Sequence, residues 1–239
     1  MNESELTGRA STHVVQLEAP RCALHYQVVT SFLAMRDAAR DAGIDVEIAS
    51  GFRDFATQLT IWNRKWHGER PLLDRCGDPL DRAGLPDAVM VDAILCWSAL
   101  PGSSRHHWGT EIDVFDRAAL PENYRLQLVP SEYAADGVFA RLSAWLDEHA
   151  ARFGFFRPYR RDHGGVGPEP WHLSYAPVAV PALEAFTLSM LRRAVESADL
   201  AGKAHVLERL PEIYTRFVLA IDTPESGPEQ AAPVFTVTR

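Results

Sequence analysis

The apolar spacing changes period twice between Leu24 and Trp66, and this restricts the chain to folds in which a strand packs against helices. Val28, Phe32, Met35 and Ala39 recur at offsets of four, seven and eleven, one face of a helix expected over 24–42, and Gly43 follows where a left-handed cap ends such a helix. Ile44, Val46 and Ile48 then alternate with Asp45 and Glu47, the period of a strand with one buried face, and the strand stops at Ser50-Gly51. Phe55, Leu59, Trp62 and Trp66 return to helical spacing, with Asp54 placed as N-cap. Arg53 sits at the junction, where a rigid base can present a functional side chain.

The same mixture continues downstream. Residues 67–102 carry Gly, Pro, charges of both signs and one helix-like piece at 88–100, and a connection of this length is expected to form a lid or rim. In SSRHHWGTEIDVFD, Ser103 to Asp116, Ile112 and Val114 share one face of a short strand, and Glu111, Asp113 and Phe115 share the other. Phe139, Leu142, Leu146, Ala150 and Phe153 mark a helix closed by Gly154. In WHLSY, Trp171, Leu173 and Tyr175 face one way, His172 and Ser174 the other. Two further helical patterns cover 180–198 and 203–220, so a single domain is expected over 1–221, with 222–239 as a loose tail.

A chain of 239 residues is long enough for one well-filled core. A net charge of -8 and the lack of any basic run longer than Arg160-Arg161 argue against nucleic acid or an anionic membrane surface as partner. No window approaches the roughly 20 apolar residues of a membrane span. The N-terminus is acidic where a signal peptide is basic, so a cytoplasmic location is expected. The three cysteines, Cys22, Cys76 and Cys96, lack CxxC spacing and read as free thiols, with a Cys76–Cys96 bridge left open.

Catalytic zinc takes about three protein ligands and leaves one position for water. His106, His107, Asp113, Asp116, Glu169 and His172 are the candidates. Pro168 and Pro170 exclude a helix through EPWH, so this is no helical pair of ligands one turn apart. In an extended chain Glu169 and His172 would face opposite ways, and the chain must bend near Pro170 if both serve one site.

Three segments in this order resemble the motifs of the zinc D-alanyl-D-alanine carboxypeptidases and dipeptidases of the vancomycin-resistance type, whose fold is shared with lysostaphin-type endopeptidases and the hedgehog signalling domain. They are SGFRDFATQ, with Ser50, Gly51, Phe52, Arg53 and Gln58; SRHHWGTEID, with Ser104, His106, Gly109 and Asp113; and EPWH, with Glu169, Trp171 and His172. The resemblance implies an α+β fold in which a small antiparallel sheet, flanked by helices, carries the metal site. It implies one Zn2+ held by His106, Asp113 and His172, with Glu169 as catalytic base and Arg53 stabilising the oxyanion. Ser104 and Gln58 would contact the substrate, and His107 would support or pack behind the ligands. By family spacing Asp113 is favoured over Asp116.

The implied function is a zinc metallopeptidase acting on peptidoglycan-type peptides that end in D-alanine, as carboxypeptidase or dipeptidase. An L,D-carboxypeptidase, a related endopeptidase and a silent metal-bearing binding module are the other readings, and the presence of Glu169 argues against the last. One departure stands out: Glu111 occupies a position that is commonly small and apolar in the family, which bears on the substrate pocket or the local packing.

Overall fold

In the computed structural model, which describes residues 1–224, a short helix α1 (Glu3–Leu6) and a hairpin of β1 (Val14–Glu18) and β2 (Arg21–His25) lead into α2 (Val29–Asp41). The helix expected from Leu24 therefore starts later. Leu24 lies on β2 opposite Val15, so its backbone belongs to the hairpin ladder while its side chain joins Val28 and Phe32 in the core. The end of α2 is as the sequence indicates: Gly43 has φ 72°, the Ile44 N–H bonds to the Ala39 carbonyl and the Gly43 N–H to the Arg40 carbonyl. Such a Schellman close leaves the next residue aimed into the strand.

Next come β3 (Val46–Ser50) and α3 (Phe55–Trp66), the latter capped by Asp54, whose Oδ1 accepts from the Thr57 N–H at 2.7 Å. Residues 67–102 hold a small ladder of β4 (Leu72–Leu73) and β5 (Pro79–Leu80), then α4 (Asp87–Trp97). After them follow β6 (Glu111–Asp116), α5 (Ala140–His149), β7 (Phe155–Phe156), β8 (His172–Tyr175), α6 (Ala176–Ala185), α7 (Leu188–Glu196), α8 (Lys203–Glu208) and α9 (Leu210–Ile213). The two C-terminal helical patterns are each interrupted. Thr187 caps a new helix at α7, its hydroxyl accepting from the Met190 N–H, and Pro211 restarts the chain at α9 because it has no N–H to continue α8.

The main sheet has the order β3-β6-β8-β7 and is antiparallel throughout. Ile112, Val114 and Leu173 turn to one side, into a cluster with Phe32 and Met35 of α2 and Leu142 and Leu146 of α5. A second cluster joins Trp62 of α3, Ile94 of α4, Leu191 of α7 and Val206 of α8. Polar side chains of β6 and β8 and the α3 residues Ile61 and Lys65 meet around the cleft described below.

Among the described residues no helix is long and apolar enough to cross a membrane. The three cysteines are free thiols. Of the tail expected over 222–239, residues 225–239 lie outside the described residues; Asp222 is buried and accepts from the Arg161 N–H and guanidinium.

Candidate metal centre

The register of two strands assembles most of the site. Asp113 on β6 stands opposite His172 on β8, and Glu111 stands opposite Ser174. Directly opposed residues bring their Cβ atoms within about 5 Å, and here the Asp113 Oδ1 is 2.9 Å from the His172 Nδ1. His106 comes from a 3₁₀ turn, Arg105–Trp108, not from the sheet itself. That turn ends at Gly109, with φ 66°, where a Cβ would lie 2.6 Å from Val14 Cγ1 and 2.7 Å from the His25 nitrogen, so both the backbone angle and the hairpin above it require glycine. His106 Nε2 thereby sits 3.4 Å from Asp113 Oδ2, and the rings of His106 and His172 meet edge to face at 4.9 Å. One ligand atom from each of His106, Asp113 and His172 lies within 4.8 Å of the others, and all three residues are buried.

The donor set fits a zinc ion. Each histidine is held through the ring nitrogen that faces away from the centre: His106 Nδ1 donates to the Gly51 carbonyl at 2.8 Å, and His172 Nε2 donates to Glu111 Oε2 at 2.8 Å. His106 Nε2, His172 Nδ1 and the Asp113 carboxylate are left converging, with tautomers fixed from behind as in known histidine metal sites. Burial alone would raise Asp113, yet the two imidazoles hold it far below the usual carboxylate range. Burial would lower His172, but hydrogen bonds to Asp113 and Glu111 outweigh it and lift the ring to about 10. An imidazolium between two carboxylates occupies the position of a cation, and a metal held there would displace its Nδ1 proton.

The other ligand candidates are spoken for. His107 donates from Nδ1 to the Arg53 carbonyl at 2.6 Å and accepts the Gly102 N–H at Nε2, 3.1 Å away, and burial depresses it to about 3. Asp116 accepts from the Asp45 and Ala118 N–H groups at 2.9 and 3.0 Å.

The bend required at EPWH is present as a turn in which the His172 N–H bonds to the Glu169 carbonyl at 3.1 Å. It brings Glu169 Oε2 to 3.5 Å from His172 Nδ1. Burial, with Asp113 nearby, pushes Glu169 up to about 7. Arg53 donates to Gln58 Oε1 at 2.8 Å and to Ser50 Oγ at 2.9 Å, while its backbone N–H bonds to the His106 carbonyl at 3.1 Å. Gln58, expected to contact the substrate, is fully buried, does not line the cleft, and spends its amide NH2 on the Ala99 carbonyl at 2.7 Å. Its Oε1 steadies Arg53. Ser104 does line the cleft.

The cleft encloses about 300 Å³ and contains Arg53, Ser104, His106, Asp113, Glu169 and His172 together. A larger hollow of about 450 Å³ beside α5 holds none of them. Leu73, Trp97 and Ser98, from the segment expected to be a lid or rim, form part of the wall. Two features had escaped the sequence reading. Lys65 reaches in from α3 and donates to Ser98 Oγ at 2.7 Å, and burial pulls its ammonium down to about 8. Its spacing of seven from Gln58 and three from Trp62 was the available signal, since it puts a lysine on the inward face of the helix. The other is a loop whose Gln127 and Leu128 line the cleft; buried Glu132 gathers the N–H groups of Gln127 and Leu128 at 3.0 and 2.8 Å and the Tyr124 hydroxyl at 2.9 Å. Leu128 has φ 55°, a left-handed backbone that a leucine holds only where its surroundings impose it.

Residues 21–178 match the family model described as VanY, D-alanyl-D-alanine carboxypeptidase. An uncharacterized protein of Haemophilus influenzae is 37% identical over 122 residues, which are 50% of this chain and 93% of that protein. A D-alanyl-D-alanine carboxypeptidase of Enterococcus faecalis is 30% identical over 145 residues, 58% of this chain and 43% of that one. Crystal structures of the vancomycin-resistance enzyme VanY of the VanB type share the fold: the complex with D-alanine-D-alanine has a TM-score of 0.52 at 22% identity, covering 80% of this chain and 92% of that one. A variant of it in complex with Zn(II) has a TM-score of 0.50 at 22% identity, covering 82% and 90%. With more than half its length matched by the family model, the chain belongs to the VanY family of D-alanyl-D-alanine carboxypeptidases.

Proposed function

We propose that this chain removes a C-terminal D-alanine from a cell-wall-type peptide by zinc-dependent hydrolysis, with one Zn2+ per chain held by His106, Asp113 and His172. The observation that carries this reading is the convergence of those three donors within 4.8 Å beside a half-buried carboxyl, Glu169, that is pushed up to about 7. Zinc bound there supplies a lowered pKa for the attacking water and polarises the scissile carbonyl.

The chain's own residues do the rest. Glu169, half-buried and pushed up to about 7, accepts the proton of the attacking water and returns it to the leaving amine. Arg53, fixed by Gln58 and Ser50, keeps its charge against burial because Asp113 and Glu169 face it, and directs that charge at the oxygen that turns negative in the tetrahedral intermediate. A donor aimed in this way contributes roughly 2.7 to 4 kcal/mol in comparable sites.

The cleft is built for a chain end. Arg53, Lys65 and Arg70 all line it, and a terminal carboxylate finds its counter-charge there, whereas an internal peptide would leave three cations facing the carboxylates of Glu169 and Asp113. The concentration of positive charge favours an exopeptidase over an endopeptidase, with D-Ala-D-Ala or a stem peptide ending in it as substrate. The test is D-alanine release from D-Ala-D-Ala, from a pentapeptide stem and from the same stem amidated at its C-terminus. Turnover of either free-acid substrate with little of the amide supports the reading; equal turnover of acid and amide contradicts it.

A further inference from the structure

Glu111 stands where the sequence raised a question of substrate fit, but its side chain does not line the cleft. It is fully buried behind His172. Because Glu111 and Asp113 are two apart on β6, they share the face that also receives His172 and Ser174 of β8. Asp113 meets the His172 ring at Nδ1, 2.9 Å away, and Glu111 Oε2 meets it at Nε2, 2.8 Å away, so the imidazole is clamped along its length.

The clamp is itself anchored. Glu111 Oε1 accepts from Ser174 Oγ at 2.7 Å, Thr110 Oγ1 at 3.0 Å and Arg105 Nη2 at 3.1 Å. That guanidinium donates again to Ser174 Oγ at 2.7 Å and lies 4.8 Å over the Trp108 ring. With three donors on one oxygen the carboxylate cannot swing, and its second oxygen is committed to His172. Arg105 also balances the charge, so the arrangement places a carboxylate against the imidazole without adding net charge to the pocket. His106 is held differently, by the neutral carbonyl of Gly51.

We infer that Glu111 is a positioning residue for the metal site: it fixes the His172 ring and tautomer so that Nδ1 faces the metal, and its charge makes that nitrogen the stronger donor. This rests on the proposed ligand set His106, Asp113 and His172. Carboxylates that hold a ligand histidine in this way typically change metal affinity by about 10- to 100-fold.

The test measures zinc affinity by chelator competition, and visible absorption with cobalt in place of zinc, for the wild type and Glu111→Gln. The expected result is wild type binding one zinc and Glu111→Gln binding it 10- to 100-fold more weakly with a shifted cobalt spectrum, while melting without metal stays close to wild type. Glu111→Gln binding zinc within about twofold of wild type, with the same cobalt spectrum, overturns the inference and leaves the ligand set intact; a wild type that takes up no zinc overturns both. Should the buried Arg105 destabilise that variant, the pair Glu111→Leu and Arg105→Met removes both charges together, a replacement that buried ion pairs commonly tolerate. Weakened zinc binding in the folded double variant supports the inference, and wild-type affinity there overturns it.

Discussion

Asp113 and His172 face each other across the β6–β8 ladder with Oδ1 and Nδ1 2.9 Å apart, so the geometry of two of the three proposed ligands is set by strand register and not by a loop. A slip of β8 by one residue would turn His172 to the apolar face, where Ile112 and Leu173 now lie, and leave Asp113 without it. Asp113→Asn leaves the strands paired but removes the charge between the two imidazoles. The expected outcome is a folded protein with less than about one-tenth of the wild-type zinc content and activity lower by roughly 10²-fold or more, consistent with loss of a ligand. Elemental analysis together with circular dichroism checks it; full zinc content in a folded variant contradicts it.

Glu169 is close to the ligands without belonging to the ligand set, so its removal separates chemistry from metal binding. Glu169→Gln is expected to lower kcat by roughly 10²- to 10⁴-fold, the usual contribution of general acid–base catalysis. Zinc content stays at the wild-type level. Steady-state kinetics beside metal analysis decide the matter, and a kcat within threefold of wild type would remove Glu169 as the base.

Lys65 tests the recognition of a chain end. Its half-buried ammonium donates, among the described residues, to the Ser98 hydroxyl alone. Lys65→Met keeps the aliphatic stem and removes the charge, which is expected to raise KM roughly tenfold for a free-acid substrate, the scale of one charge-assisted hydrogen bond, while changing kcat little. Initial rates over a range of substrate concentrations read this directly. An unchanged KM would mean that the terminal carboxylate binds elsewhere.

His107 carries a pH dependence of stability. Burial holds it at about 3 in the folded protein, against about 6.5 when unfolded. The unfolded chain takes up a proton first as the pH falls, so the stability that neutral His107 provides is complete above pH 6.5 and is lost progressively toward pH 3. Between pH 7.5 and 5 the loss is about 2 kcal/mol. Urea unfolding in the presence of chelator at those two pH values, compared with His107→Gln, is expected to show a smaller pH effect in the variant; equal slopes contradict the assignment.

Much of this site was legible in the sequence because its residues lie in short motifs on regular elements. The strand parity that put Asp113 opposite the apolar pair Ile112 and Val114, and the turn that Pro170 demanded between Glu169 and His172, both follow from local backbone geometry. Leu24 misled because a position shared by a strand end and a helix face satisfies either period. Gln58 carried a substrate-contact expectation from its motif, and only tertiary packing shows it enclosed between Arg53 and the Ala99 carbonyl. The loop held by Glu132 left no trace in the sequence, since three of that carboxylate's contacts are to backbone N–H groups that any residues would offer. Glu111 was visible as a departure, but the pairing that places it behind His172 requires the strand order β6-β8, which periodicity cannot supply.

The central claim is that D-alanine release depends on a zinc ion held by His106, Asp113 and His172. The most direct measurement strips metal from the wild-type protein with a chelator, assays D-alanine release from a peptide ending in D-Ala-D-Ala, and titrates Zn2+ back. Activity that disappears on stripping and returns in full at one equivalent of zinc, but does not return in His172→Ala, is the predicted result. Undiminished release by the stripped wild type, or restoration of His172→Ala by the same equivalent, would contradict it.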